Sequence, residues 1–164
     1  MANTSVYTGS DGSLTLSVPS SVEGDAAQAV ISAYDAITVG RVQDVNVQVV
    51  SEVHTFNEIG ERYATQLRPG NVAISGTIGR AFINGAMLKL CLGEAADSRP
   101  QGSWSQPAMN ITLQVQNSAV PDVRSILTLH DVKIESWTLE MPESTFVLEA
   151  AAFKALFVSV QDEG

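Results

Sequence analysis

The chain has 164 residues, 45% hydrophobic and 16% charged, a composition typical of one folded domain spanning residues 1–164 rather than of a disordered chain. Nine Lys and Arg against eighteen Asp and Glu give a net charge of −9. This balance argues against tight electrostatic binding of nucleic acid, but it leaves room for a surface that DNA slides past.

The cysteine content and the apolar segments exclude further classes of protein. Cys91 is the only cysteine, which excludes an internal disulfide and a cysteine-based metal cluster. Residues 1–13 are polar and lack the apolar stretch of a secretory signal. The longest apolar segment, 146–160, is interrupted by Glu149 and Lys154, so we expect no membrane insertion.

The first third of the chain changes from an uncertain segment to a clear β pattern. Residues 13–18 alternate and predict a short strand, whereas 19–36 fits either a helix that Asp25 caps and that runs through Ala33, or a loop. From residue 45 the chain alternates with period two, which indicates one buried and one wet strand face. The apolar positions are Val45, Val47, Val49 and Val53, and the polar ones are Asn46, Gln48, Glu52 and His54.

The next segment is charged and then rich in glycine. Residues 57–70 end in Pro69-Gly70 and predict a long connection or a protruding hairpin tip. The following run alternates again, with Val72, Ile74, Ile78 and Phe82 on one face and small residues on the other. Its glycines do not form a phosphate-binding loop, because the lysine of that motif is missing. Glycine and alanine on one strand face instead permit close approach of another backbone.

The second half predicts one helix and several strands. Residues 84–92 predict a short helix with Asn84 as a cap and Gly93 as its end, and 94–108 predicts a loop. Four β-like runs follow at 109–117, 124–132, 133–141 and 145–160. The fold class is therefore mainly antiparallel β, a sandwich or partial barrel with one short α-helix.

No catalytic or metal-binding constellation emerges from the sequence. His54 and His130 are the only histidines, and each falls in a strand pattern without a neighbouring ligand. Trp137 on a strand favours a core or interface role, and Trp104 in a loop is an exposed-contact candidate. An Asn110-Ile-Thr112 acceptor for glycosylation is best explained by chance. We expect no enzyme activity and no cofactor.

Several short motifs follow one another in two parts of the chain. In the first part their positions are Gly60, Arg62, Pro69, Gly70, Ser75, Gly76, Ile78, Arg80, Ala81, Ile83 and Asn84. In the second they are Ser136, Trp137, Glu149, Phe153 and Ala155. In order and spacing these motifs resemble those of the tail tube proteins of tailed phages and the related tubes of contractile injection systems. The resemblance covers about residues 39–93 and 126–157 by eye, but neither 1–36 nor 94–108.

This resemblance implies a structural subunit with a helix packed on the side of its β-sandwich or partial barrel. Six subunits would form a ring, rings would stack into a tube in a virion tail, and genome DNA would pass through the bore. The expected lumen residues are Asn46, Gln48 and Glu52. The expected inter-ring or inter-subunit contacts are Asn57, Glu58, Glu61, Arg62, Arg68 and Arg80.

The same resemblance implies partners and leaves alternatives. A tail terminator, a baseplate and, in sheathed tails, sheath proteins would bind such a tube, and its subunits would assemble in the host cytoplasm. The inner tube of a contractile injection or secretion particle is the nearest alternative. A ligand-binding β-sandwich, such as a carbohydrate-binding module, is an alternative from a different class, with Trp104 as its candidate aromatic platform.

Overall fold

A computed structural model describes residues 6–117, 119–120 and 122–163 of the chain. The strands are β1 (Gly12–Ser17), β2 (Val42–Phe56), β3 (Gln66–Ala81), β4 (Met109–Gln116), β5 (Arg124–Glu140), β6 (Leu148–Ala155) and β7 (Phe157–Glu163). The helices are α1 (Val22–Tyr34) and α2 (Ala86–Leu92), with short 3-10 turns at Gly9–Asp11 and Gly93–Ala96.

Two antiparallel sheets share the long strand β5 and curl into a half-barrel. Sheet A consists of β1, β4, the first half of β5 and β7. Sheet B consists of the second half of β5, then β6, β3 and β2. The predicted mainly antiparallel partial barrel is thereby confirmed. A second helix, α1, joins the one that the sequence predicted.

One hydrophobic cluster fills the concave side of the half-barrel and is covered by the helices. β6 contributes Phe153, which is fully buried, and a side chain of this size stabilises the fold by about 1.5–3 kcal/mol when buried. Strand alternation supplies most other members, because every second residue points inward. The helices add Ala27, Ile31, Met87, Leu90 and Cys91.

Local signals at the helix ends account for both helices. Of the two alternatives for 19–36, the helix is the one observed. α1 begins at Val22, because the Ser21 side chain accepts a hydrogen bond from the Gly24 amide at 3.0 Å, so Ser21 rather than Asp25 is its cap. Asn84 acts at the start of α2, where its Oδ1 accepts from the Ala86 amide at 3.1 Å. Gly93, with φ of +61°, ends α2 as predicted.

The last β runs are divided differently from the prediction. The predicted runs 124–132 and 133–141 merge into one strand, β5, which ends at Glu140, and its buried positions step from Leu129 to Val132 to Ile134. Asp131 takes a left-handed φ of +53° at this point and shifts the alternation by one residue. The run 145–160 instead splits into β6 and β7 at Leu156, which lies 79% exposed between them.

Candidate assembly surfaces

A β-hairpin extends beyond the rest of sheet B. β6 pairs with β3 only from Ile74 to Ala81, whereas β2 and β3 stay paired out to Phe56 and Gln66. We call residues 49–73 the arm. Residues 49–69 are all exposed, on both faces of the hairpin.

One face of the arm is apolar although no other described part of the chain covers it. The pairing register places Val49, Val53, Leu67 and Val72 on the face that continues the core-facing row of β3, and these side chains are 51%, 59%, 66% and 60% exposed. Isolated exposed apolar residues are ordinary, but a contiguous row of them on a two-stranded ribbon marks a protein contact surface.

The opposite face of the arm carries charged and polar groups. Glu52 accepts a hydrogen bond from the Asn71 amide at 3.3 Å, and its Oε2 lies 3.6 Å from Nε2 of His54. Arg68 is the cross-strand partner of His54. Gly70 permits this arrangement, since a Cβ there would lie 2.5 Å from the His54 ring and 2.9 Å from the Glu52 side chain.

The tip of the arm is the connection 57–65, shorter than the predicted 57–70 because β3 already begins at Gln66. Thr65 closes the tip by donating from its amide to the Phe56 carbonyl at 2.9 Å and from its hydroxyl to Glu58 at 2.9 Å. Two apolar side chains that the sequence analysis did not single out, Ile59 and Tyr63, are 106% and 80% exposed there. The predicted contact residues Asn57, Glu58, Glu61 and Arg62 share this tip, and Arg68 lies on β3 beside it.

Arg80, which the sequence predicted as a contact residue, instead lies inside the subunit. It is only 4% exposed, and its guanidinium pairs with Glu149, which is 3% exposed. Trp137 Nε1 donates to the other oxygen of that carboxylate at 2.8 Å, and Asn84 Oδ1 accepts from the guanidinium at 3.3 Å. Four polar residues from the resembling motifs therefore meet inside the subunit, where a charged pair needs such complete partnering.

The convex face of sheet B carries small, mostly polar side chains, and its central row is uncharged. Register places one row of Asn46, Thr77, Ala152 and Ser136 side by side across all four strands. Gln48 and Ser75 form the start of the neighbouring row, which continues to the charged Lys154 and Lys133, and Lys154 pairs with Glu135 at 3.3 Å. The predicted lumen residues Asn46 and Gln48 thus share one face, and Glu52 continues their side of β2 onto the arm.

Among the described residues, sheet B has two edges without a strand partner. β2 forms one edge, and Lys133–Glu140 of β5 forms the other, in the order β5-β6-β3-β2. At the start of the β5 edge the Ile134 carbonyl accepts a hydrogen bond from Gln106 Nε2 at 2.6 Å. Because the four strands alternate in direction, β2 is antiparallel to β5, so the two edges of separate copies can extend one continuous antiparallel sheet. Free edges of this kind are usually covered or paired in native proteins.

A small cleft of about 290 Å³ lies between α1 and α2, and it is lined by alanines together with Tyr34, Lys89 and Asp97. The hydrogen bond and charge of Asp97, 3.1 Å away, raise the pKa of Lys89.

Trp104 lies 37% exposed in the loop before β4. Within the described residues, no three His, Cys, Asp or Glu side chains are grouped to hold a metal, and no helix is long and apolar enough to span a membrane.

Comparisons with known proteins find a likeness in structure but none in sequence. No protein-family model and no curated protein matches the sequence. Among solved structures, a chain of the anti-feeding prophage cap, described as a tube terminating cap, aligns over 98% of this chain and 94% of its own length with a TM-score of 0.65 and 12% identity. A chain of the PVC sheath/tube terminator of an extracellular contractile injection system aligns over 98% and 99%, with a TM-score of 0.65 and 11% identity.

The SPP1 tail tube adds a phage structure to these two. It aligns over 97% of this chain and 80% of its own, with a TM-score of 0.58 and 12% identity. This chain has the tail-tube fold. Because the alignments cover 97–98% of this chain, the likeness in fold extends beyond the resembling motifs to α1 and the 94–108 loop.

Proposed function

We propose that the protein is a structural subunit of a virion tail tube, built from hexameric rings that stack into a hollow tube. The observation that carries the proposal is the tail-tube fold over at least 97% of the chain in the cap, terminator and SPP1 comparisons. The free edges, the exposed apolar arm and the sheet face with its uncharged central row supply three surfaces that such an assembly uses. No catalytic step is proposed.

Ring closure would use the two free edges of sheet B. The β2 edge of one copy pairs with the Lys133–Glu140 edge of the next, and six four-stranded sheets then close into one barrel. Pairing removes the unpaired backbone groups that each subunit exposes alone. The chain offers this pairing in the antiparallel sense, which is the sense already used throughout both sheets.

The bore would be lined by the convex face of sheet B, with Asn46, Gln48 and Glu52 toward the lumen. A face of short polar side chains offers passing DNA few cations to bind, and the net charge of −9 per subunit repels phosphate. Stacking of rings would use the arm. Its contact residues would be Asn57, Glu58, Glu61, Arg62 and Arg68.

Electron microscopy of the purified protein tests the proposal. We expect hexameric rings at low protein concentration and tubes at high concentration, and analytical ultracentrifugation should show species of ring mass and above. A protein that stays monomeric at millimolar concentration would contradict the proposal. The arrangement implies a terminator and a baseplate as partners and a location in the particle tail.

A second candidate is the tube, or the terminating ring, of a contractile injection particle. It is favoured by the anti-feeding prophage cap and the PVC terminator, which align as well as the SPP1 tail tube or better. Assembly separates the two roles, since a terminator forms a discrete ring whereas a tube subunit polymerises without a fixed length. The packaged cargo, genome DNA or protein, separates a virion from an injection particle.

A further inference from the structure

The apolar face of β3 overruns the hydrophobic core at both of its ends. Period two placed Val72, Ile74, Ile78 and Phe82 on one face, yet only Ile74 and Ile78 are buried, at 6% and 3% exposure. Val72 is 60% exposed on the arm, and Phe82 is 38% exposed just beyond the other end of the strand. The subunit therefore leaves apolar surface uncovered at two opposite ends of sheet B.

The end opposite the arm collects several large exposed side chains. β3 ends there at Ala81, β5 ends at Glu140 and β6 begins at Leu148, and the Phe82 amide bonds to the Val147 carbonyl at 2.9 Å. We call this surface the end patch; it consists of Phe82, Ile83, Met141 and Phe146, with exposures of 38%, 54%, 71% and 81%.

We propose that the end patch is the receptor for the arm tip of a second copy of this chain in the next ring. The inference rests on the proposed tube function. Ile59 and Tyr63 at the tip cannot reach the end patch of their own subunit, because β3 alone separates the two ends by about 50 Å. A head-to-tail contact between copies covers both apolar surfaces at once, and such a contact repeats without limit along an axis.

Charge supports the same pairing. Of the nine Lys and Arg in the chain, five form ion pairs with carboxylates of their own subunit. Among the described residues, two of the four others, Arg62 and Arg68, lie on the arm. The end patch is flanked by exposed Glu140 and Glu143, and by Arg41, whose carbonyl accepts from the Ala81 amide at 3.0 Å. Arg62 and Arg68 can thus meet Glu140 and Glu143, while Arg41 can meet the tip carboxylates Glu58 and Glu61.

Cross-linking in assembled tubes tests the contact. The double variant Ile59→Cys with Phe146→Cys is polymerised and treated with a short bis-maleimide; the native Cys91 is buried and serves as background in the parent protein. We expect a ladder of covalent species that passes the copy number of one ring. A ladder that ends at one ring, or no cross-link in tubes that have formed, would overturn the proposal. The pair Ile59→Cys with Val22→Cys, on exposed α1, is the matched control and should give no ladder.

Ring mixing gives an independent readout. The tip variant Ile59→Ser/Tyr63→Ser and the patch variant Met141→Ser/Phe146→Ser should each keep the parent circular dichroism spectrum, form rings, and lose tubes by at least about tenfold. Mixing the two kinds of ring restores one intact interface, so stacks of two rings are expected. Tubes from the patch variant alone would overturn the receptor assignment while leaving the tube function standing; absence of rings and tubes from the parent protein would overturn both.

Discussion

Arg80 and Glu149 are direct cross-strand partners on β3 and β6, and their side chains form an ion pair that is almost completely removed from solvent. Trp137, on the neighbouring strand β5, donates to the same carboxylate, and Asn84 joins the guanidinium to the start of α2. The cluster therefore ties three strands of sheet B to a helix. Its residues specify the geometry of the subunit rather than a contact between subunits.

Removing one member of this pair should destabilise the fold strongly. Arg80→Ala leaves the Glu149 carboxylate buried without its counter-charge, and we expect a loss of about 3–5 kcal/mol in the free energy of unfolding. Lys154→Ala is the control, since Lys154 is 70% exposed in its pair with Glu135 and should cost less than about 1 kcal/mol. Urea unfolding followed by Trp fluorescence measures both. Equal losses for the two variants would contradict the assigned role of the cluster.

Gly76 should be intolerant of any side chain. A Cβ at this position would lie 2.1 Å from the Asn46 carbonyl oxygen and 2.6 Å from the Phe153 ring, so Gly76→Ala forces β2 away from β3 or displaces the core. We expect a loss of about 1–3 kcal/mol. Gly102→Ala, with open space around its position, should leave stability nearly unchanged. A melting temperature for Gly76→Ala equal to that of the parent would show that the hairpin accommodates the methyl group.

The tip of the arm should be dispensable for folding and required for stacking. Because Phe56 and Gln66 are a cross-strand pair, residues 57–65 can be replaced by the two-residue turn Asn-Gly without altering the register of β2 and β3. We expect an unchanged circular dichroism spectrum, intact rings and no tubes in negative-stain images. Tubes of normal length from this variant would show that stacking does not use the tip.

Alternation predicted the parts of the fold that are decided within one strand. The alternation of β2 and the end of α2 at Gly93 were visible in the sequence, whereas Pro69-Gly70, predicted as the turn, lies within β3 and pairs with β2. The path of β5 was not, because the bulge at Asp131 shifts the periodicity and resembles a break between two strands. Period-two analysis also cannot say where a core stops, so it grouped the exposed Val72 and Phe82 with the buried Ile74 and Ile78.

The polar cluster shows a different limit. Arg80, Trp137 and Glu149 were each singled out as motif positions, but Arg80 and Glu149 are 69 residues apart in the chain and meet only through the β3–β6 register. An arginine in an alternating strand carries no local sign of its partner, and surface exposure is its ordinary state. Arg80 was predicted as a contact residue because the sequence does not show which distant residue it meets in the fold. The arm's charged residues stay predictions until assembly is measured.

The C-terminal strand should respond to acid through one ion pair. The hydrogen bond and charge of Arg124 lower the pKa of Glu163, and the two residues pair across β5 and β7. A carboxylate with a depressed folded-state pKa contributes stability above its unfolded pKa, and this contribution is lost as the pH falls through the folded value. Arg124→Gln should raise the Glu163 pKa in a carboxyl NMR titration. Lys133→Gln, which removes a pair with Glu23 on α1, should leave it unmoved.

If the convex face of sheet B lines a bore, cations added to that face should make assembled tubes retain DNA. Asn46 and Thr77 are neighbours on the convex face of sheet B, and Asn46→Lys with Thr77→Lys adds twelve positive charges to a hexameric ring. If that face lines the lumen, the variant tubes should retain DNA with an affinity that falls steeply as salt rises, because bound phosphates release counterions. Gln28→Lys with Ser32→Lys places the same charge on the exposed side of α1. Tubes of that control should bind DNA only where nuclease can reach it, whereas DNA held in the bore should be protected along the tube length. Equal nuclease sensitivity in the two variants would place the convex face outside the lumen.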